Sequence, residues 1–337
     1  MPHIISGIIR RLLSYAIAER LKKKQYYLKN GSAVLEELLA LCDGNCRIPL
    51  RYFSAYEIEK AIKNPEKRII LFGSCYGGDY HRNIFRDIAI TAQMSHLKNV
   101  MRLVGCCLEL ENPVMVYEYV EAIRLYELLF IEGNHDQNRK SLSWGSRLRI
   151  ANEIASVIAF LHTEFSMPII YRNLSASNVI IDQNSGVAKI MDFSLSISLP
   201  QGELEVACVV CGYFGYLDPE YMQSGITSQK TDAYSFGVVL FQLLTGKKMS
   251  ILDGKMTDFT EFPHVETNVE EGSVMDIADP TILEEHGVEI RQQLEDYLDL
   301  VKKCTAYKGE EKPYMIHVAK ELRKIEKCYH GLTLGQN

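Results

Sequence analysis

YRNLSASNVI, residues 171–180, is the stretch on which the reading of this chain turns. It is polar and short, and it sits between two segments of strong local character. Before it runs LRIANEIASVIAFLH, in which Ile150, Ile154, Val157 and Leu161 recur at intervals of four, three and four, the spacing of one helical face. After it comes an apolar strand-like run. A helix, a polar loop and a strand in that order place Arg172, Asn173 and Asn178 on a loop supported by regular structure. Loops so supported are where binding and catalytic groups concentrate.

The bulk composition bounds the rest. The chain has 337 residues, 47% of them hydrophobic and 24% charged, an ordinary globular balance with enough length for two packed cores. The net charge of −6 argues against a nucleic-acid partner. No apolar run approaches the roughly 18 residues of a spanning helix, and no secretory pattern opens the chain, so the expected location is the cytoplasm. Nine cysteines, odd in number and scattered, read as reduced thiols. Cys42 and Cys46 frame CDGNC, and Cys208 and Cys211 form a single C-x-x-C. Neither reaches the four ligands that zinc normally takes, so both pairs read as free thiols in loops.

Residues 1–30 hold Arg10, Arg11, Arg20, Lys22, Lys23, Lys24 and Lys29 against Glu19 alone. Ile5, Ile8, Ile9, Leu12 and Ala16 share one helical face. Such a basic amphipathic helix fits an anionic membrane surface, a partner's groove, or the protein's own body. Pro2 excludes the Met-Gly start of N-myristoylation. Residues 1–48 read as two helices parted at KNGS, where Asn30-Gly31 breaks the pattern and Ser32 caps the second. Residues 49–120 are mixed. RIILF (68–72) is β-rich, FRDIAITAQMS is helical, and RLVGCCLEL and PVMVYEYV read as strands. From 121 to 330 the pattern is helical, and DAYSFGVVLFQLLTG is apolar nearly all round, with Gly246 placed to end it. Strands followed by helices suit an α+β chain with two lobes better than an alternating βαβ sheet.

Four landmarks then occur in order: YRNLSASN, KIMDFSLS, GYFGYLDPEYMQSG and TDAYSFGVVLFQLLTGKK. Together they resemble the catalytic loop, D-F-G segment, A-P-E region and following helix of plant receptor-like kinases, over about residues 50–327. The flanks YYLKNGSAVLEELLALCDGN and FSAYEIEKA make the chain similar to plant receptor-like cytoplasmic pseudokinases that serve as adaptors for a coiled-coil NLR immune receptor. The resemblance implies a bilobal kinase-like fold with a shortened N-lobe sheet (49–120), a helical C-lobe (121–330) and an N-terminal helical extension (1–48).

Set against that family, the chemistry is depleted. Tyr171 replaces the loop's histidine, and Asn173 replaces the aspartate that accepts the substrate's proton. Ser175 stands where these kinases carry a phosphate-contacting lysine. Phe72 occupies the strand-lysine position and Asp87 the helix-glutamate position, so their ion pair cannot form. Ser194 replaces the triplet's glycine, and Tyr213 the threonine of GTFGYLDPEY. Gly73, Gly77 and Gly78 lack G-x-G-x-x-G spacing and read as a turn. The 21 residues from Asn64 to Ile84 are too few for three strands and two turns, which need about 20 to 30 besides the approach to the helix. Asn178 and Asp192 remain as the two formal metal-binding side chains, and Glu118 and Val120 are the candidate nucleotide-contacting positions. Arg172, Glu220, Asp232 and Lys312 read as structural, with Asp232 bonding the loop backbone and Glu220 pairing with Lys312.

The resulting expectation is a catalytically inactive kinase-like adaptor of plant immunity. No cofactor is required, and any binding of Mg-ATP would be weak. The resemblance implies two partners, the leucine-rich-repeat region of an NLR and a receptor-like cytoplasmic kinase. Two other readings stand beside it. One is an ATP-binding or weakly active Ser/Thr kinase, favoured by Asp192 and Asn178. The other is a scaffold held at the inner face of the plasma membrane by residues 1–30.

Overall fold

A computed structural model describes residues 2–41, 50–63, 70–73, 83–130, 142–248 and 273–334. Gly77, Gly78, Cys42 and Cys46 lie outside the described residues, as do the side chains of Ile5, Ile8, Ile9, Leu12 and Phe72. The chain forms two compact units. One comprises Met1–Leu97 with Met101–Val120, the other Lys98–Val100 with Glu121–Asn337.

The first unit begins with one unbroken helix, α1 (Pro2–Leu41), where the sequence pattern predicts two. A glycine in mid-helix costs about 1 kcal/mol relative to alanine, and Asn30 ordinarily favours turns. Tertiary contacts outweigh both. Asn30 is buried, and its Nδ2 donates to the carbonyls of Leu108 (3.0 Å) and Leu110 (2.8 Å), which the sequence keeps about eighty residues away. Gly31 passes Leu108 closely enough that a Cβ would touch it. Further along α1, Glu37 bonds Asn83 and Arg86 at the start of α3 (Ile84–Met94).

After α1 come β1 (Arg51–Tyr52), α2 (Ala55–Ile62), β2 (Ile70–Gly73), α3, β3 (Leu103–Cys107) and β4 (Val114–Tyr117). Ser54 and Glu57 close a reciprocal capping box at the start of α2. Ala55 and Ile58 of α2 pack on Cys107 and Val116. The sheet order is β1-β3-β4-β2. β4 is antiparallel to both β2 and β3, whereas β1 joins β3 in parallel. β1 has no counterpart in the sequence reading, because two residues are too few to show periodicity. Its approach to β3 is close: a Cβ at Gly105 would stand 1.9 Å from the Arg51 carbonyl oxygen. Within the interval 64–84, β2 is the strand that the described residues show.

The second unit is mainly helical. β5 (Ala122–Arg124) and α4 (Leu125–Phe130) lead to α5 (Trp144–Thr163), then β6 (Ile169–Ile170), β7 (Val179–Asp182), β8 (Ala188–Ile190), β9 (Ile197–Ser198) and β10 (Glu205–Ala207). α6 (Pro219–Ser224), β11 (Ile226–Ser228) and α7 (Gln229–Thr245) follow. Ile150, Ile154, Val157 and Leu161 of α5 are all buried, as their spacing predicts. From Thr231 to Thr245 every residue of α7 is buried, and Gly246 ends the helix at φ 63°, a left-handed conformation that suits glycine. The helices Arg291–Cys304 and Met315–Leu334 pack on α7 and α5 respectively. None of the described helices is long and apolar enough to cross a membrane.

Candidate functional site: a loop rebuilt on internal hydrogen bonds

The loop 171–178 is strung between β6 and β7 and anchored from below by α7. Asp232, in the first turn of α7 and fully buried, accepts the N–H of Tyr171 on Oδ2 and the N–H of Arg172 on Oδ1, both at 2.8 Å. His162 Nε2, near the end of α5, lies 2.8 Å from the same Oδ2. One carboxylate thereby joins two helices and the loop. It also holds Arg172 at φ 59°, a region that a non-glycine residue enters only when its surroundings over-determine it.

Three of the substituted positions, Tyr171, Asn173 and Ser194, have structural partners. Tyr171 is buried, donates its hydroxyl to the Met191 carbonyl at 2.6 Å, and packs its ring on Phe193 with centroids 5.3 Å apart. Asn173 is buried, and its Nδ2 donates to the Asp192 carbonyl at 3.2 Å. An aspartate there could only accept when ionised, so the amide does something the family's acid cannot. The amide neither takes nor releases a proton at neutral pH, which leaves the loop's third position without a general base. Asn178 Nδ2 donates to the Asn173 carbonyl at 2.8 Å. Asp192, at φ 66°, accepts the Ser194 hydroxyl on Oδ1 at 2.6 Å. The serine that replaces the glycine of the triplet thus ties the formal metal ligand to its own segment. Ser175 is fully buried, and its Oγ has no hydrogen-bond partner among the described residues.

A second cluster lies further along the same unit. Lys312 is buried, as a structural role requires, but the nearest carboxylate is not the expected one. Its Nζ donates to Asp218 Oδ2 at 2.6 Å and lies 3.5 Å from Glu220 Oε2. Glu220 Oε2, within ion-pair distance of Lys312 as expected, also accepts the Gly309 N–H at 2.6 Å. Burial decides between the two acids: Asp218 is enclosed and needs a counter-charge, whereas Glu220 is half-exposed. Burial pushes the Asp218 carboxyl up from its ordinary value, and Lys312 opposes that shift. Asp218 lies in the stretch GYFGYLDPEYMQSG, but nothing in a local pattern marks it as the ion partner of a residue 94 positions away.

The remaining candidates belong to the first unit. Asp87 is buried within α3, and its Oδ1 accepts the Thr91 hydroxyl one turn on, at 2.9 Å. Glu118 is exposed; its N–H donates to the Arg102 carbonyl, and its carboxylate stands 3.5 Å from Arg102 Nη1. Val120 is half-buried at the end of that unit.

The helix order, the antiparallel pairing and the aspartate-anchored loop are those of a protein kinase fold. A protein kinase domain model matches residues 61–321. The chain is 37% identical over 336 residues to the non-functional pseudokinase ZED1 of Arabidopsis thaliana, covering 91% of this chain and 98% of that protein. It is 34% identical over 336 residues to the serine/threonine-protein kinase ZRK1 of the same organism, with 91% and 94% covered. Among solved structures, the pseudokinase domain of BIR2, an immune regulator of the RLK/Pelle family, aligns at a TM-score of 0.54 with 26% identity, covering 70% of this chain and 67% of that one. The chain belongs to the protein kinase family and groups within it with the ZRK proteins.

Proposed function

We propose that this protein is a catalytically inactive kinase-like adaptor of plant innate immunity, which joins the leucine-rich-repeat region of an NLR receptor to a receptor-like cytoplasmic kinase. The observation that carries the inactive reading is Asn173, whose amide is used as a donor to the Asp192 carbonyl. Phosphoryl transfer needs its parts to act together, and the proton acceptor, the strand lysine and the loop lysine are replaced at once. Relatives such as ZED1, a non-functional pseudokinase, support the same reading. Mg-ATP is then dispensable, since Asp192 Oδ1 is engaged by Ser194 and Asn178 by the loop backbone.

The docking surface we favour is the outer side of α1. Ile17, Leu21, Leu28, Leu35 and Leu39 are each more than half exposed. At 100° per residue they form one row, roughly 140° round the helix from the buried row of Asn30, Val34 and Leu41. An exposed apolar row of this length fits a protein partner. The proposed location is the cytoplasm; the basic residues of 1–30 instead suit an anionic membrane, and the inner face of the plasma membrane is the second reading.

The test is co-purification with the NLR. Replacing Leu21, Leu28 and Leu35 by serine is expected to abolish capture while leaving thermal unfolding nearly unchanged, because exposed positions contribute within about ±0.5 kcal/mol each. Replacing Arg10, Arg11, Lys22 and Lys23 by glutamine is expected to leave capture intact. The reverse pattern, with vesicle binding weakened by salt, would establish the membrane reading instead. Phosphate incorporation that Asp192→Ala removes would overturn the inactive assignment.

A further inference from the structure

Arg172 carries a group of contacts that the adaptor reading does not use. Its Nη1 lies 3.1 Å from Cys208 Sγ, 3.2 Å from Tyr221 Oη and 3.4 Å from the Val209 carbonyl. Its Nε donates to the Leu195 carbonyl at 2.8 Å. Tyr221 Oη in turn donates to the Val209 carbonyl, lies 3.5 Å from Cys208 Sγ, and accepts the Cys211 N–H at 3.2 Å. The sulfur of Cys208 and the amide of Cys211 are therefore neighbours through one phenol oxygen, separated by no more than the sum of those two distances. Arg172 is nine-tenths buried, while both cysteines are partly exposed.

The backbone holds the two cysteines within one short segment. Cys208 follows β10 and donates its N–H to the Gly225 carbonyl, which pins the start of the segment. Gly212 has φ 142°, and a Cβ there would lie 2.8 Å from the Arg172 carbonyl oxygen. The segment 208–212 is thus folded tightly over Arg172. Burial opposes the charge of Arg172, yet Cys211, Tyr221 and Cys208 together hold its pKa above the ordinary guanidinium value. Burial pushes the Cys106 and Cys304 thiols up to about 12, where reaction is suppressed.

We propose that Cys208 and Cys211 form a reversible dithiol–disulfide pair, built on Arg172 and Tyr221 and oxidised by hydroperoxides. The Cys208 sulfur attacks the peroxide O–O bond, giving Cys208–SOH and, with hydrogen peroxide, one water. The Cys211 sulfur then attacks the sulfenic sulfur, the S–O bond breaks, and a second water leaves with the thiol proton. The two thiols lose two electrons and two protons, and the peroxide is reduced by the same two electrons. The new bond takes Cys208 Sγ from Arg172 and Tyr221. It thereby resets the segment that exposes Val209, Tyr213 and Phe214, which are 60%, 51% and 56% exposed. Among the described residues no group of three His, Cys, Asp or Glu side chains could hold a metal ion, so the pair has no third ligand of that kind.

The experiment uses the full reduced chain, treated with graded hydrogen peroxide, quenched and unfolded. Of the nine cysteines in the chain, titratable thiols are expected to fall to seven, with a mass loss of ~2 Da. Peptide mapping is expected to place the link between residues 208 and 211, and dithiothreitol to reverse it. In Cys211→Ser, Cys208 is expected to stop at the sulfenic acid and be trapped by dimedone; in Cys208→Ser neither product forms. The proposal is overturned if Cys208 and Cys211 stay reduced at peroxide levels that oxidise the exposed Cys328, or if either joins a different cysteine, including one in a second copy. The wild-type mapping decides the matter even if a variant fails to fold.

Discussion

Asn173→Asp restores the family's acid at the loop's third position, and the structure says it should damage this protein. The Asn173 Nδ2 donates to the Asp192 carbonyl at 3.2 Å in a buried setting. An ionised aspartate would place an oxygen against that carbonyl, losing one hydrogen bond and leaving a buried acceptor unmatched. The expected cost is about 2 to 3 kcal/mol at pH 8. A protonated aspartate can donate to the same carbonyl, so the folded state raises the new group's pKa above its unfolded value. A raised carboxyl pKa means that the folded state holds the proton more tightly, so stability falls as pH rises from the unfolded value of about 3.9 through the folded value. The loss should therefore be largest at pH 8 and shrink toward pH 5. For a unit of this size 1 kcal/mol moves Tm by about 2 to 4 °C, giving a fall of roughly 4 to 12 °C at pH 8. Thermal unfolding of both proteins across pH 5 to 8, beside radiolabelled phosphate incorporation, measures this. A variant as stable as the wild type at pH 8, or one that gains transfer activity removable by Asp192→Ala, would refute the reasoning.

Three further outcomes follow from the contacts. Asp232→Asn replaces an acceptor of two loop amides by a group that is partly a donor, and should destabilise the second unit by about 3 kcal/mol or more, read by thermal unfolding and by protease cleavage within 171–178. Gly105→Ala puts a Cβ into the Arg51 carbonyl and should detach β1 at a cost of about 1 to 3 kcal/mol, read as faster hydrogen exchange at the Phe53 amide, which donates to Cys106, with the second unit unchanged. At Asp279, burial pushes the carboxyl up, but the Arg147 guanidinium and the Thr281 donors outweigh it and hold the pKa below the ordinary value. A lowered carboxyl pKa contributes stability above the unfolded value of about 3.9 and loses it as pH falls through the folded one, so Asp279→Asn should flatten the acid limb of the stability curve below about pH 4.

What the sequence by itself determined was everything written in short-range code. The period of α5, the apolar girth of α7 and its terminating Gly246 follow from spacing within a single element. The order of four landmarks was enough for the kinase fold, and the absence of a carboxylate at 173 is readable from one letter. Tertiary structure alone decided what depends on distant partners. α1 continues through Asn30-Gly31 because that amide reaches two carbonyls about eighty residues away. Lys312 pairs most closely with Asp218 because enclosure, which no local pattern encodes, makes that acid the one in need of a counter-charge. β1 joins its sheet in parallel on two residues, too few to leave a period. Cys208 and Cys211, a weak motif in one dimension, become a chemical unit once Arg172 and Tyr221 are folded against them. Local propensity is a preference of a few tenths to about 1 kcal/mol per residue, and a buried hydrogen bond or ion pair is worth as much or more. Where the two compete, the fold follows the contact.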